Sequence, residues 1–252
     1  MDLGAQRVMS NRFQLFLLSV FILFLEVLLI RWIGTEVSIF AYLQNAILVC
    51  CFLGLGMGCL VKESEYPLGL TFKNLCIFTI LLSIPLLRKQ MSLLALILSS
   101  FHDFVVWHQG AWSNLPLQIL FQVVGVVVTF IMAGIVWRIM VPLGAMLARI
   151  LESDDKPIQA YSINILGSLV GVWLFSALAW TSLAPSWWFL ILGLLAFPLA
   201  IKVANFGKWE WIVFAAVTIF PLAGSFLDDA LETVWSPYQK LEISPDKKVP
   251  GE

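Results

Sequence analysis

Among the polar side chains inside apolar runs of this 252-residue chain are Glu26, Gln44, Asn45 and Asn164. An ionisable group within a bilayer-spanning helix costs at least about 2.5–3.5 kcal/mol on insertion scales, so it turns toward other helices or a wet cavity. Such residues can be interhelical glue, or they can line the path of a small-molecule transporter or channel. An intramembrane enzyme acting on lipid is a third class, but the spans hold neither a Ser/His/Asp set nor paired carboxylates, so no catalytic residue is assigned. His102, Asp103 and His108 share one window. Three potential ligands with no fourth and no recognised spacing make a poor metal site. They read better as an interfacial loop flanked by Trp107 and Trp112, and no metal or cofactor is expected.

The elements that carry these residues are set by run length. From Leu15 to Val61 two apolar runs are joined by Gly34-Thr35-Glu36. Each exceeds the roughly 20 residues needed to cross the hydrocarbon core. The pattern recurs at about 68–87, 117–141, 160–180, 186–204 and 209–226, the fourth run continuing as helix past Pro142. Hydrophobic residues make up 60% of the chain and charged ones 12%, against about 25% charged in soluble domains. The fold class expected is an all-α polytopic membrane bundle of seven helices over residues 1–225, or eight if Met91–Trp107 also crosses. Residues 226–252 form a short soluble tail. Within it, Tyr238–Ile243 alternates like one strand, for which no partner strand is expected in the chain.

Two small-residue stripes should bring helices close. Gly54 and Gly58 lie four apart, and Asn164, Gly167, Ser168 and Gly171 follow at i, i+3, i+4 and i+7. Small-xxx-small spacing allows close backbone approach, and the two stripes are expected to meet each other. Glu26 is expected to face the interior and to be hydrogen-bonded. Cys50, Cys51, Cys59 and Cys76 lie in apolar runs without CxxC spacing, as buried, reduced small hydrophobes. The net charge of −1 excludes a nucleic-acid partner, since phosphate binding needs a basic face. With the N-terminus inside, seven spans gather Arg7, Arg12, Lys62, Arg149, Lys156 and Lys208 on the cytoplasmic side. The tail then lies outside; eight spans would bring it in.

Three stretches resemble a family. LEVLLIRWIG with FLGLGMGCL, then MVPLGAMLARI with AYSINILGSLVGVWLF, and finally ETVWSPYQKLEI look like bacterial membrane-embedded spermidine synthase-like proteins. In that family the third stretch is the entry to a soluble aminopropyltransferase domain, the first strand of a small β-domain before a Rossmann-type fold that binds decarboxylated S-adenosylmethionine. The resemblance implies that Gln239 approaches the ribose of the nucleoside. This sequence departs from the pattern because no glycine-rich loop follows a strand and no catalytic aspartate is identified. Gly54-Leu55-Gly56-Met57-Gly58 sits inside a span, where it cannot cradle a nucleotide.

The function the resemblance implies is a membrane module that anchors or partners an aminopropyltransferase- or methyltransferase-type catalytic domain not contained in these residues. By itself the chain is not expected to be an enzyme. The expected partners are the lipid bilayer, a separate catalytic domain or further copies of the chain, and the expected location is the bacterial inner membrane. Against a transporter, the sequence shows no clear inverted repeat and no broken helix pair in corresponding halves.

Overall fold

In the computed structural model, residues 2–37, 44–62, 65–83, 115–202, 206–226, 232–236 and 240–243 are described. They form seven helices: α1 (Asp2–Glu36), α2 (Gln44–Gly58), α3 (Leu68–Ser83), α4 (Leu115–Glu152), α5 (Pro157–Trp180), α6 (Pro185–Lys202) and α7 (Lys208–Phe226). Two short strands follow, β1 (Glu232–Trp235) and β2 (Lys240–Ile243). Prolines open α5 and α6, where a missing N–H costs nothing because the first turn has no intrahelical acceptor for it. Three helical segments are long and apolar enough to cross a membrane: Asn11–Glu36, Val123–Glu152 and Pro157–Trp180. The apolar segments of α2, α3 and α6 are shorter, each between 10 and 17 residues. A helical membrane protein is therefore supported; among the described residues three helices reach full crossing length, where seven spans were expected from the runs.

The helices run alternately along the bundle. Gly54 and Gly58 approach Trp137 and Val141, so α2 and α4 run parallel. Gly167 and Gly171 approach Phe16 and Val20, which makes α5 parallel to α1. Phe21 meets Phe72 and Trp32 meets Phe78, so α3 runs along α1. Gly69 and Phe72 meet Glu210 and Phe214, so α7 runs along α3. Gly193 and Phe197 meet Thr218 and Trp211, so α6 runs against α7. One end, the near end, thus holds Arg12, the α2–α3 loop, the α4–α5 loop and the start of α7. The opposite, far end holds the end of α1, the α5–α6 turn and the strands. Met91–Trp107, the residues that would make an eighth span, lies outside the described residues.

The core is built around α1. Leu18, Phe21, Phe24, Leu25, Leu28 and Leu29 are fully buried, as expected for the central helix of a bundle. The small stripes do not meet each other. A Cβ at Gly58 would collide with the Val141 carbonyl and lie 2.7 Å from Gly144 Cα, so α2 is seated on α4. A Cβ at Gly171 would come 2.5 Å from the Val20 carbonyl, so α5 is seated on α1. Small residues specify close approach, but either stripe fits any smooth helix face.

α4 contains Pro142, which removes the N–H that would bond to the Arg138 carbonyl. Asn74 Nδ2 from α3 donates to that carbonyl at 3.3 Å, and the Thr71 hydroxyl donates to the Ile139 carbonyl at 2.9 Å. The helix therefore continues through the proline, with α3 satisfying part of the loosened backbone. This matches the expectation of helix beyond Pro142.

The tail corrects the single-strand expectation. β1 and β2 pair antiparallel, with Glu232 opposite Ile243 and Trp235 opposite Lys240. The partner of the strand in Tyr238–Ile243 is thus ETVW a few residues upstream, and the strand itself begins at Lys240 among the described residues.

Candidate functional site

The densest set of polar and aromatic contacts is the junction between the hairpin and the far end of the bundle. Arg31, one turn before the end of α1, donates through Nη2 to the Ser236 carbonyl. Its guanidinium also lies over the Trp188 ring, 5.3 Å from the centroid. Trp188 is fully buried near the start of α6, edge-on to Phe175 at 5.3 Å and to Trp235 of β1 at 5.3 Å. Lys240 Nζ donates to Glu36 Oε1 at 3.2 Å, and both side chains are nearly sequestered, at 7% and 6% exposure. The same ammonium lies 5.3 Å from the centre of the Trp235 ring, its cross-strand neighbour.

Each part has a local cause. Arg31 and Glu36 are five residues apart at the end of a long apolar helix, where charge is expected to leave the hydrocarbon. Trp235 directly opposite Lys240 on an antiparallel pair brings ring and ammonium together by register alone. A two-stranded ribbon is marginal in water by itself. Here it is held by a buried ion pair, a charge-assisted hydrogen bond and an edge-on indole contact. The arrangement fixes a soluble-type element on the end of the bundle; among its described residues there is no nucleophile–base pair.

The near end has a lighter connection. Arg12 pairs with Asp154 of the α4–α5 loop through Nε at 3.0 Å and Nη2 at 3.3 Å. The Arg12 hydrogen bonds hold the Asp154 carboxyl below the usual range, helped by the Lys156 N–H at 2.9 Å.

The polar residues singled out in the spans are dispersed. Glu26 is 2% exposed and faces the interior, but its Oε2 has no hydrogen-bond partner, which corrects the expectation of a bonded carboxyl. Cys51 of α2 lies within electrostatic reach of it. Asn164 is half-buried, and its Oδ1 accepts from the Ser19 hydroxyl at 2.8 Å across the α1–α5 seam. Gly167 and Gly171 are buried in that seam, and Ser168 beside them is half-buried. Gly54 and Gly58 are buried on α4. Asn45 is exposed on the outside of α2, contrary to an interior role. Gln44 opens α2, its side chain outside the described set; Gln239, His102, Asp103 and His108 lie wholly outside it. Among the described residues no hydrogen bond links Glu26, Asn45 and Asn164. None of the described His, Cys, Asp and Glu side chains cluster in threes that could hold a metal. The four cysteines are free thiols, with Cys59 exposed instead of buried.

Sequence reasoning missed the junction. Arg31 and Glu36 were visible as charges closing an apolar run, and Trp235 and Lys240 as parts of ETVWSPYQKLEI. Their meeting depends on pairing between two four-residue strands, too short to show a period of their own. No protein-family model matches the chain, and neither the curated proteins nor the solved structures give a match.

Proposed function

We propose that the chain is the membrane module of a spermidine synthase-like protein, anchoring a catalytic domain of aminopropyltransferase or methyltransferase type at its far end. The reading takes all seven helices as crossings of a bacterial inner membrane. The carrying observation is the clamped hairpin: Lys240 on Glu36, Arg31 on Ser236 and Trp235 on Trp188. An anchor must transmit position, and a flexible tail would not. A pair of strands docked this firmly offers a fixed first element on which a β-domain can continue. The resemblance of ETVWSPYQKLEI to the entry of such a domain supports the same reading. A transporter lined by Glu26, Asn45 and Asn164 is disfavoured because Asn45 faces outward and Asn164 is engaged by Ser19.

The test is to express the chain together with the coding region that adjoins its 3′ end, fused or as a second polypeptide. The complex purified in detergent is then titrated with decarboxylated S-adenosylmethionine. Saturable nucleoside binding, with the soluble part held in place and released by Trp235→Ala, is the expected result. An adjoining region without a glycine-rich strand–loop–helix, together with no binding, would overturn the proposal.

A further inference from the structure

Arg138 carries an exposed charge halfway through the bundle. It stands at the midpoint of the 30-residue apolar segment Val123–Glu152 of α4. The next carbonyl, of Ile139, accepts from Thr71 of α3. Phe72, beside Thr71, packs on Phe21, midway along α1 between Arg12 and Arg31. Among the described residues no carboxylate pairs with Arg138. A guanidinium at that depth does not face acyl chains; it meets a partner or a wet cavity.

A cavity is there. A recess of about 150 Å³, room for about five waters, lies between α3 and α4. Its lining is Tyr66, Leu70, Trp137, Arg138 and Val141. Tyr66 belongs to the α2–α3 loop, whose Lys62 and Glu65 are exposed. Exposed non-helical backbone at membrane depth is tolerated only beside water, so this loop brings water to the mouth of the recess. Lys73 follows Leu70 by three residues on α3, shares its face and is exposed, which adds a second positive charge beside the recess. Glu65 pairs with neither cation. The Arg138 carbonyl accepts from Asn74 Nδ2 at 3.3 Å, so the turn that carries the guanidinium is fixed to α3.

We infer that the recess is an aqueous vestibule that binds a short-chain monocarboxylate, its carboxylate on Arg138 and Tyr66 and its apolar body against Leu70, Trp137 and Val141. The planar fork of arginine meets a carboxylate with two parallel hydrogen bonds. Low-dielectric walls around the cation focus its field on an entering anion. The apolar side chains distinguish an organic acid from an inorganic anion, which would leave them unused. The site lies too deep for a phospholipid headgroup, and no part of it belongs to the hairpin junction at the far end.

Leu70→Cys, in a background with the four native cysteines replaced, reports the recess in reconstituted bilayers. Leu169→Cys reports lipid: Leu169 is exposed on α5, two residues from Gly171, which meets Val20 at a similar depth. Leu70→Cys should react with a sulfonate-bearing methanethiosulfonate faster than with its trimethylammonium counterpart, each rate taken relative to a free thiol. Leu169→Cys should stay unreactive to both. Butyrate should slow the Leu70→Cys reaction saturably, and neutral butyramide and inorganic phosphate should not. Arg138→Gln should abolish the preference for the anionic reagent and weaken butyrate protection by about tenfold or more, as expected on losing a charge-assisted hydrogen bond. Equal protection of the two cysteines from both reagents overturns the vestibule, and equal slowing by butyramide or phosphate overturns the carboxylate site. Should a variant not fold, the Tm of the unaltered protein decides. A rise with butyrate and none with butyramide supports the site, and equal Tm values overturn it.

Discussion

The two ends of the bundle are each closed by an ion pair, and the pairs are built differently. At the near end Arg12 meets Asp154, with the arginine side chain 26% exposed and the aspartate 6%. At the far end Lys240 meets Glu36 with both side chains close to fully covered, and an arginine, two tryptophans and a backbone carbonyl close around them. A pair in contact with water gives little net stability. A sequestered pair leaves a severe penalty if one partner is removed. The near end therefore only tidies a loop, whereas the far end commits the chain to one placement of its hairpin.

The largest expected effect separates the bundle from both ends. Gly58→Leu drives a side chain into the α4 backbone and should destabilise the fold by about 3 kcal/mol or more. The readout is a fall in detergent Tm for bundle and hairpin together. Gly56→Leu, on the same helix with open space around it, should leave Tm nearly unchanged. Lys240→Ala should weaken hairpin docking by about 1.5–3 kcal/mol, since it removes the covered charge-assisted hydrogen bond to Glu36. Hydrogen exchange should then accelerate across Glu232–Ile243 while the α1 core stays protected.

Much of this contrast was not readable in the sequence. Helices over the apolar runs were, because a run of that length has few alternatives. The glycine stripes announced tight seams, yet their partners were not announced: α2 took α4 and α5 took α1. The choice depends on which helix presents a matching groove, a property of the assembled bundle. Glu26 was legible as an interior residue from the cost of exposing it to lipid; its lack of a partner at Oε2 was not, since sequence does not say which neighbour arrives. The hairpin hid because each of its strands is only four residues long.

Smaller effects sharpen the comparison at the near end. Arg12→Ala should leave Tm within measurement error and hairpin exchange unaltered. The pH response has a definite sign. Asp154 is held below its ordinary value in the folded state, so its contribution is complete above the unfolded value, near pH 4. It is lost as pH falls through the folded value. Hydrogen exchange in the α4–α5 loop should therefore rise only below about pH 4, and Arg12→Ala should abolish that dependence.

The central claim is that the clamped hairpin and the Arg12–Asp154 loop lie on opposite faces of a membrane. About 19 residues of α1 separate Arg12 from Arg31, a rise of roughly 28 Å, close to the hydrocarbon thickness. Single cysteines placed at Asp155 or at the exposed Leu241, in a background with the four native cysteines replaced by serine or alanine, test it directly. An impermeant maleimide applied to intact cells should label one position and not the other, with both labelled after lysis. Labelling of both positions in intact cells, or protection of both until lysis, would contradict the account.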